Sequence, residues 1–117
     1  MNTMALDERT EEIAMAIISN AGAARGAAFD ALKAAKAGDY EQAAALMKSA
    51  DEYSRAAHKT HSELLALYAK GAFEGGDILL SHAQDHLMCA ALAMELIGEL
   101  IDLRKTIQKN TGKEEQQ

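Results

Sequence analysis

The sequence predicts an all-α fold: an antiparallel three-helix up-down-up bundle, with one domain spanning 1–117. Three observations predict it. The chain has no proline and is 49% hydrophobic but only 4% aromatic, with alanine supplying much of the apolar content, a composition that favours long helices. Apolar residues recur at helical spacing through three stretches of about 30 residues each. Glycine-containing breaks separate those stretches, and no segment alternates with the period of two that a strand requires. Three such helices on short loops pack up-down-up.

The first helix is expected over about 6–37. Asp7, Glu8, Glu11 and Glu12 cluster in its opening turns, opposing the positive end of the helix dipole. Ile13, Ala16, Ile17, Ala24, Ala28, Leu32 and Ala35 then form an apolar stripe. Gly22 and Gly26 interrupt it, and each lowers helix propensity by about 1 kcal/mol relative to alanine. Close helix packing or a mild kink explains them. A phosphate cradle is the sharper alternative, but no strand precedes them and no Gly-Lys-Ser/Thr follows.

Gly38-Asp39 is the next break. Gly38 suits the left-handed end of helix one, and Asp39 with Gln42 three residues on approaches a capping box for helix two. Helix two is expected over about 40–70, with Ala43, Leu46, Met47, Ala50, Tyr53, Ala57, Leu64, Leu67 and Tyr68 on its apolar side. His58 and His61, spaced i and i+3, either bind a metal, flank a site or stand as polar surface residues. Gly71 closes this helix, and Asp77 after Gly75-Gly76 is a candidate cap for helix three.

Helix three is expected over about 78–108, with a frayed polar tail over 110–117. It carries two apolar stripes. Leu79, Ala83, Leu87, Ala90, Met94, Ile97 and Ile101 form the first; Cys89, Leu92, Leu96, Leu100 and Leu103 form the second. A monomeric three-helix bundle needs one stripe per helix, so the second points to burial against another subunit.

The bulk properties exclude several classes. A net charge of −6 argues against binding a nucleic-acid backbone. No apolar run approaches the length of a membrane span, so no direct membrane insertion is expected. The first residues carry no basic segment leading into an apolar core, so no secretory leader is expected, and a single cysteine allows no internal disulfide. A cytoplasmic protein fits these observations.

The chemistry concentrates in Ser81-His82-Ala83-Gln84-Asp85-His86-Leu87-Met88. On a helix, His82, Asp85, His86 and Cys89 line one side, with Ser81, Gln84, Glu95, Glu99 and Asp102 on a narrow polar remainder. Asp85 lies at the N-terminal end of the second stripe. A symmetric oligomer with helix three near its axis gathers several copies of Asp85, and a divalent cation such as magnesium relieves their repulsion. Alternatively, Asp85 reaches solvent or bonds a lysine. His82 sits just inside the helix start, where the positive dipole end favours a phosphoryl group, so the imidazole is a candidate phosphoryl acceptor as well as a candidate structural residue.

The run His82-Ala83-Gln84-Asp85-His86-Leu87-Met88 resembles the signature of the lactose/cellobiose-type enzyme IIA proteins of the bacterial sugar phosphotransferase system. The likeness extends through Leu79-Leu80, Met94-Glu95-Leu96 and Glu99-Leu100-Ile101. It also takes in Ala57-His58-Lys59 and Glu63-Leu64-Leu65 in helix two, and covers roughly residues 6–108. The resemblance implies a homotrimer. It implies that His82 accepts a phosphoryl group from the general phosphocarrier protein and passes it to a cysteine of the cognate enzyme IIB. That transfer serves import of a β-linked disaccharide or β-glucoside through enzyme IIC. It implies one Mg2+ per trimer, held by Asp85 of each subunit, and supporting roles for His86 and Gln84, with His86 placed first. The chain departs from the family at His61-Ser62, where Gln-Thr is more usual, in the loop 71–76, and at Cys89, where a threonine is more usual. These departures bear on the sugar and on the cognate enzyme IIB.

Two other readings compete. One is a metal-binding helical bundle with His82, Asp85, His86 and Cys89 as mixed zinc ligands. The other is a regulatory paralogue or interaction module without phosphotransfer.

Overall fold

The computed structural model describes residues 2–71 and 78–115, with side chains described for 8–71 and 78–112. It contains three helices in the expected order: α1 (Asn2–Lys36), α2 (Tyr40–Ala69) and α3 (Ile78–Glu115). They form a rod of 75 × 19 × 18 Å. α1 packs along both other helices, whereas α2 and α3 touch each other only sparsely.

The core is a seam of alanines. On α1 the buried residues are Thr10, Ala14, Ile17, Ala21, Ala24, Ala28, Ala31 and Ala35, alternating steps of four and three. Ala43, Ala50, Ala57 and Leu64 answer from α2, seven residues apart, and Ala83, Leu87, Ala90, Ile97 and Ile101 from α3. This is the 3.5-residue period of left-handed coiled packing, in which small side chains let helix axes approach closely. The expected stripe on α1 included Ile17, Ala24, Ala28 and Ala35 correctly. Ile13, Ala16 and Leu32 prove half-buried, while Ala14, Ala21 and Ala31 carry the contact instead. Most of the seam is alanine, with Ile17, Leu64, Leu87, Ile97 and Ile101 as its larger members, and other bulky residues flank it. Tyr53 and Tyr68, expected on the apolar side of α2, are exposed, because α2 turns Ala50, Ala57 and Leu64 inward instead.

The two stripes of α3 separate cleanly. Ala83, Leu87, Ala90, Ile97 and Ile101 of the first are buried in the subunit, with Leu79 and Met94 half-buried. Leu92, Leu96, Leu100 and Leu103 of the second remain 45–57% exposed, and Cys89 is exposed beside them.

The α1–α2 corner is built as its residues dictate. Gly38 takes φ +81°, open to glycine and strained for other residues. Gly38 N donates to the Ala35 carbonyl at 3.0 Å and Asp39 N to the Ala34 carbonyl at 2.9 Å, the paired bonds of a Schellman end. The Asp39 carboxylate then accepts from Gln42 N at 3.0 Å. The capping box is therefore half formed, because the Asp39 N–H that Gln42 would reach is already bonded to α1. Gly71 (φ +80°) ends α2 in the same conformation.

Three local expectations change. α1 begins at Asn2 rather than near residue 6, so Glu8, Glu11 and Glu12 lie beyond its first turn, where the dipole's effect has faded. A Cβ at Gly22 or Gly26 would meet nothing within 4 Å, so neither glycine serves close packing inside the subunit, and helical residues surround both. α3 runs through the expected tail to Glu115, across Asn110, Thr111 and Gly112, with no proline to stop it. The Asp77 cap and the 72–77 loop lie outside the described residues, as does the side chain of Asp7.

Candidate functional site

The motif occupies the opening turns of α3. Ala83 and Leu87 bury against α1 and α2, and this orients everything around them. Residues one position before or after a buried residue fall on the flanks. His82 is exposed on one flank, and His86, one turn on, is half-buried beside it. Their Nε2 atoms lie 3.1 Å apart, with ring centroids separated by 4.6 Å and ring planes at 89°. Such a contact needs one ring to present N–H and the other a lone pair. The expected alignment of His82 with His86 is thus present as a direct contact.

Gln84 goes elsewhere. Two residues along a helix is a rotation of about 200°, which carries Gln84 to the far flank from His82. There its Nε2 lies 3.2 Å from His61 Nε2 on α2, and both side chains are half-buried. Gln84 therefore faces α2 rather than the outer polar side. His61, for which the sequence left metal binding, a site-flanking role and a surface position open, is this partner. Its signal lay in the antiparallel register: His61 and Gln84 stand at roughly matching distances on either side of the α2–α3 connection. His58 is exposed and has no part in this contact.

Asp85 and Cys89 are exposed on the outward side of α3, in line with Leu92 and Leu96. Among the described residues Asp85 has no ion-pair partner, and the lysine bond considered for it is not formed. Nor does any group of three or more His, Cys, Asp or Glu side chains converge among the described residues. The four-ligand zinc arrangement is therefore absent from the subunit: only His82 and His86 come together, while Asp85 and Cys89 point past them. One carboxylate does not hold a magnesium ion by itself. Asp85 fits that role only where symmetry brings further copies of it together, and its exposed place on an apolar stripe permits this.

No helix among the described residues is long and apolar enough to cross a membrane.

Known proteins share this sequence pattern and this fold. The family described as "PTS system, Lactose/Cellobiose specific IIA subunit" matches residues 12–105. The chain is 43% identical over 103 residues to the N,N'-diacetylchitobiose-specific EIIA component of Escherichia coli (strain K12), covering 86% of each. It superposes on the cellobiose-specific enzyme IIA from Bacillus anthracis with a TM-score of 0.82 at 40% identity, covering 86% of this chain and 92% of that one. The IIA(chitobiose) structure from the IIA(chitobiose)–HPr complex of Escherichia coli matches with a TM-score of 0.76 at 39% identity, covering 85% of this chain and 96% of that one. A family match over most of the chain, relatives above 40% identity and one shared three-helix fold lead to a single conclusion: this chain belongs to the lactose/cellobiose-specific enzyme IIA family and is a phosphotransferase component of the sugar phosphotransferase system.

Proposed function

We propose that this protein is a phosphohistidine carrier in which His82 accepts a phosphoryl group from the general phosphocarrier protein and delivers it to a cysteine of its cognate enzyme IIB, in the cytoplasm. The sugar served is a β-linked disaccharide or β-glucoside. The observation that carries the reading is the exposed imidazole of His82 with the His86 ring nitrogen 3.1 Å from its Nε2. The related IIA(chitobiose) forms a complex with HPr, which supports the same donor here.

The step is an in-line displacement. The lone pair of His82 Nε2 forms the new N–P bond as the donor's N–P bond breaks and its electron pair returns to the donor imidazole. Both groups are protein side chains, so catalysis consists mainly of positioning and charge stabilisation. His86 is placed for both: its N–H holds the His82 ring in orientation, then turns to an oxygen of the arriving phosphoryl group. Gln84 supports the site indirectly, by tying this part of α3 to His61. Transfer to enzyme IIB reverses the roles, with a thiolate as the attacking group.

The second stripe of α3 supports a homotrimer with three copies of α3 at its axis. Leu92, Leu96, Leu100 and Leu103 would bury one another, and three Asp85 carboxylates would meet at one end. One Mg2+ held there would neutralise the gathered charge, a structural rather than a chemical service.

Intact-mass analysis after incubation with phosphoenolpyruvate, enzyme I and the phosphocarrier protein tests the reading. The expected result is one acid-labile phosphoryl group on wild type and none on folded His82→Ala. Equal labelling of the two proteins would reject His82 as the acceptor. No label on wild type with active donors would favour a regulatory paralogue.

A further inference from the structure

We propose that His82 and His86 form a two-point chelate for a zinc-class divalent ion, and that the bound ion withholds His82 from phosphoryl transfer. The second half rests on the phosphocarrier reading; the chelation does not.

The helix has already set the bite. With metal–nitrogen bonds of about 2.05 Å, the 3.1 Å separation of the two Nε2 atoms subtends about 98° at the ion, between the octahedral and tetrahedral angles. The side chains are one turn apart on a continuous helix, so the two nitrogens are already neighbours and each ring has to swing its lone pair about 40° off the line joining them to face the ion. His82 is exposed, which leaves the outward coordination positions open to water. Imidazole nitrogen selects zinc, copper or nickel over magnesium. This ion is therefore distinct from one held by Asp85 carboxylates, which prefer a hard cation.

The proton account balances. The ring that donates its Nε2–H in the resting pair moves that proton to its own Nδ1 through solvent. Both Nε2 lone pairs then face the ion, and the pair loses no net proton. A lone pair bound to metal cannot attack phosphorus. No third protein ligand joins from the described residues of the subunit, so the ion is exchangeable rather than structural. That suits a reversible block better than a folding site.

The test is titration of the full chain with zinc chloride in excess magnesium, followed by calorimetry and by the NMR signals of the histidine rings. One zinc per subunit is expected, with the His82 and His86 rings shifting together. His82→Ala and His86→Ala should each weaken binding about a hundredfold, since the second ligand acts intramolecularly. His86→Gln, which keeps a polar side chain but removes the chelate, should weaken it equally. Asp85→Asn and Cys89→Ser should bind as wild type. Unmoved His82 and His86 rings at millimolar zinc would overturn the chelate, as would wild-type affinity in either folded histidine variant. For the second half, label transfer from purified phosphorylated carrier protein is compared with and without zinc. Zinc should slow wild type about tenfold when the site is about nine-tenths occupied, and the same zinc should change the rate of His86→Gln little. Zinc that saturates wild type without slowing transfer removes the block and leaves the chelate standing. Failure of His82 to label even without zinc removes the carrier reading instead.

Discussion

The ring of His61 on α2 lies 3.2 Å from the Gln84 amide on α3, joining two helices that otherwise meet mainly through α1. It is the one side-chain hydrogen bond between helices among the described pairs. His61→Ala strands a half-buried amide and should lower stability by about 1 kcal/mol. That corresponds to a melting temperature lower by about 4 °C. His61→Gln keeps both a donor and an acceptor and should recover much of the loss. Calorimetric melting of the two variants checks this; equal melting of His61→Ala and wild type would mean the bond is not made in solution.

The alanine seam predicts a sharp contrast between neighbours. Ala57 is fully buried between α1 and α3, and Ala56 beside it is exposed. Ala57→Leu should destabilise the fold by about 1–3 kcal/mol through overpacking, whereas Ala56→Leu should change it by less than about 0.5 kcal/mol. Urea denaturation distinguishes them. Similar midpoints for both would mean the helices separate easily.

Two glycines should respond in opposite directions to the same substitution. Neither Gly22 nor Gly38 has a neighbour within 4 Å of an added Cβ, so sterics are silent at both. Gly38 sits at φ +81°, and Gly38→Ala should destabilise by about 1–2 kcal/mol. Gly22 lies inside α1, and Gly22→Ala should stabilise by about 0.5–1 kcal/mol. Thermal denaturation reads both signs. Loss of stability in Gly22→Ala would instead place that glycine against another molecule.

The exposed leucines of α3 should govern self-association. Leu96 is 56% exposed in the subunit, so Leu96→Glu removes little from the subunit core. Circular dichroism should retain the helical signal while sedimentation equilibrium moves from the proposed trimer to monomer. A variant that stays trimeric would place the interface on another face.

Much of the fold was legible because its signals are local. Gly38 and Asp39 declare a helix end and a helix start through their own backbone preferences, and the structure uses both as such. His82 and His86 must share a helix face at i and i+4 whatever surrounds them. The fate of an apolar residue is different, because it depends on the distance to a neighbour. Bulky Ile13 and Leu32 looked like core, yet they lie half-buried on the flank while Ala14, Ile17, Ala21 and Ala31 occupy the seam, since the rotation of α1 against its neighbours decides which positions face inward.

The sequence by itself determined three helices, their breaks and the histidine pair, all consequences of contacts within a few residues. Only the tertiary structure decided which stripe of α3 is covered and which is left outward with Asp85. Only it turned Gln84 from the polar face toward α2 and made His61 its partner. Those outcomes depend on how each helix is rotated about its axis against α1, and that rotation is set by side-chain packing across all three helices at once.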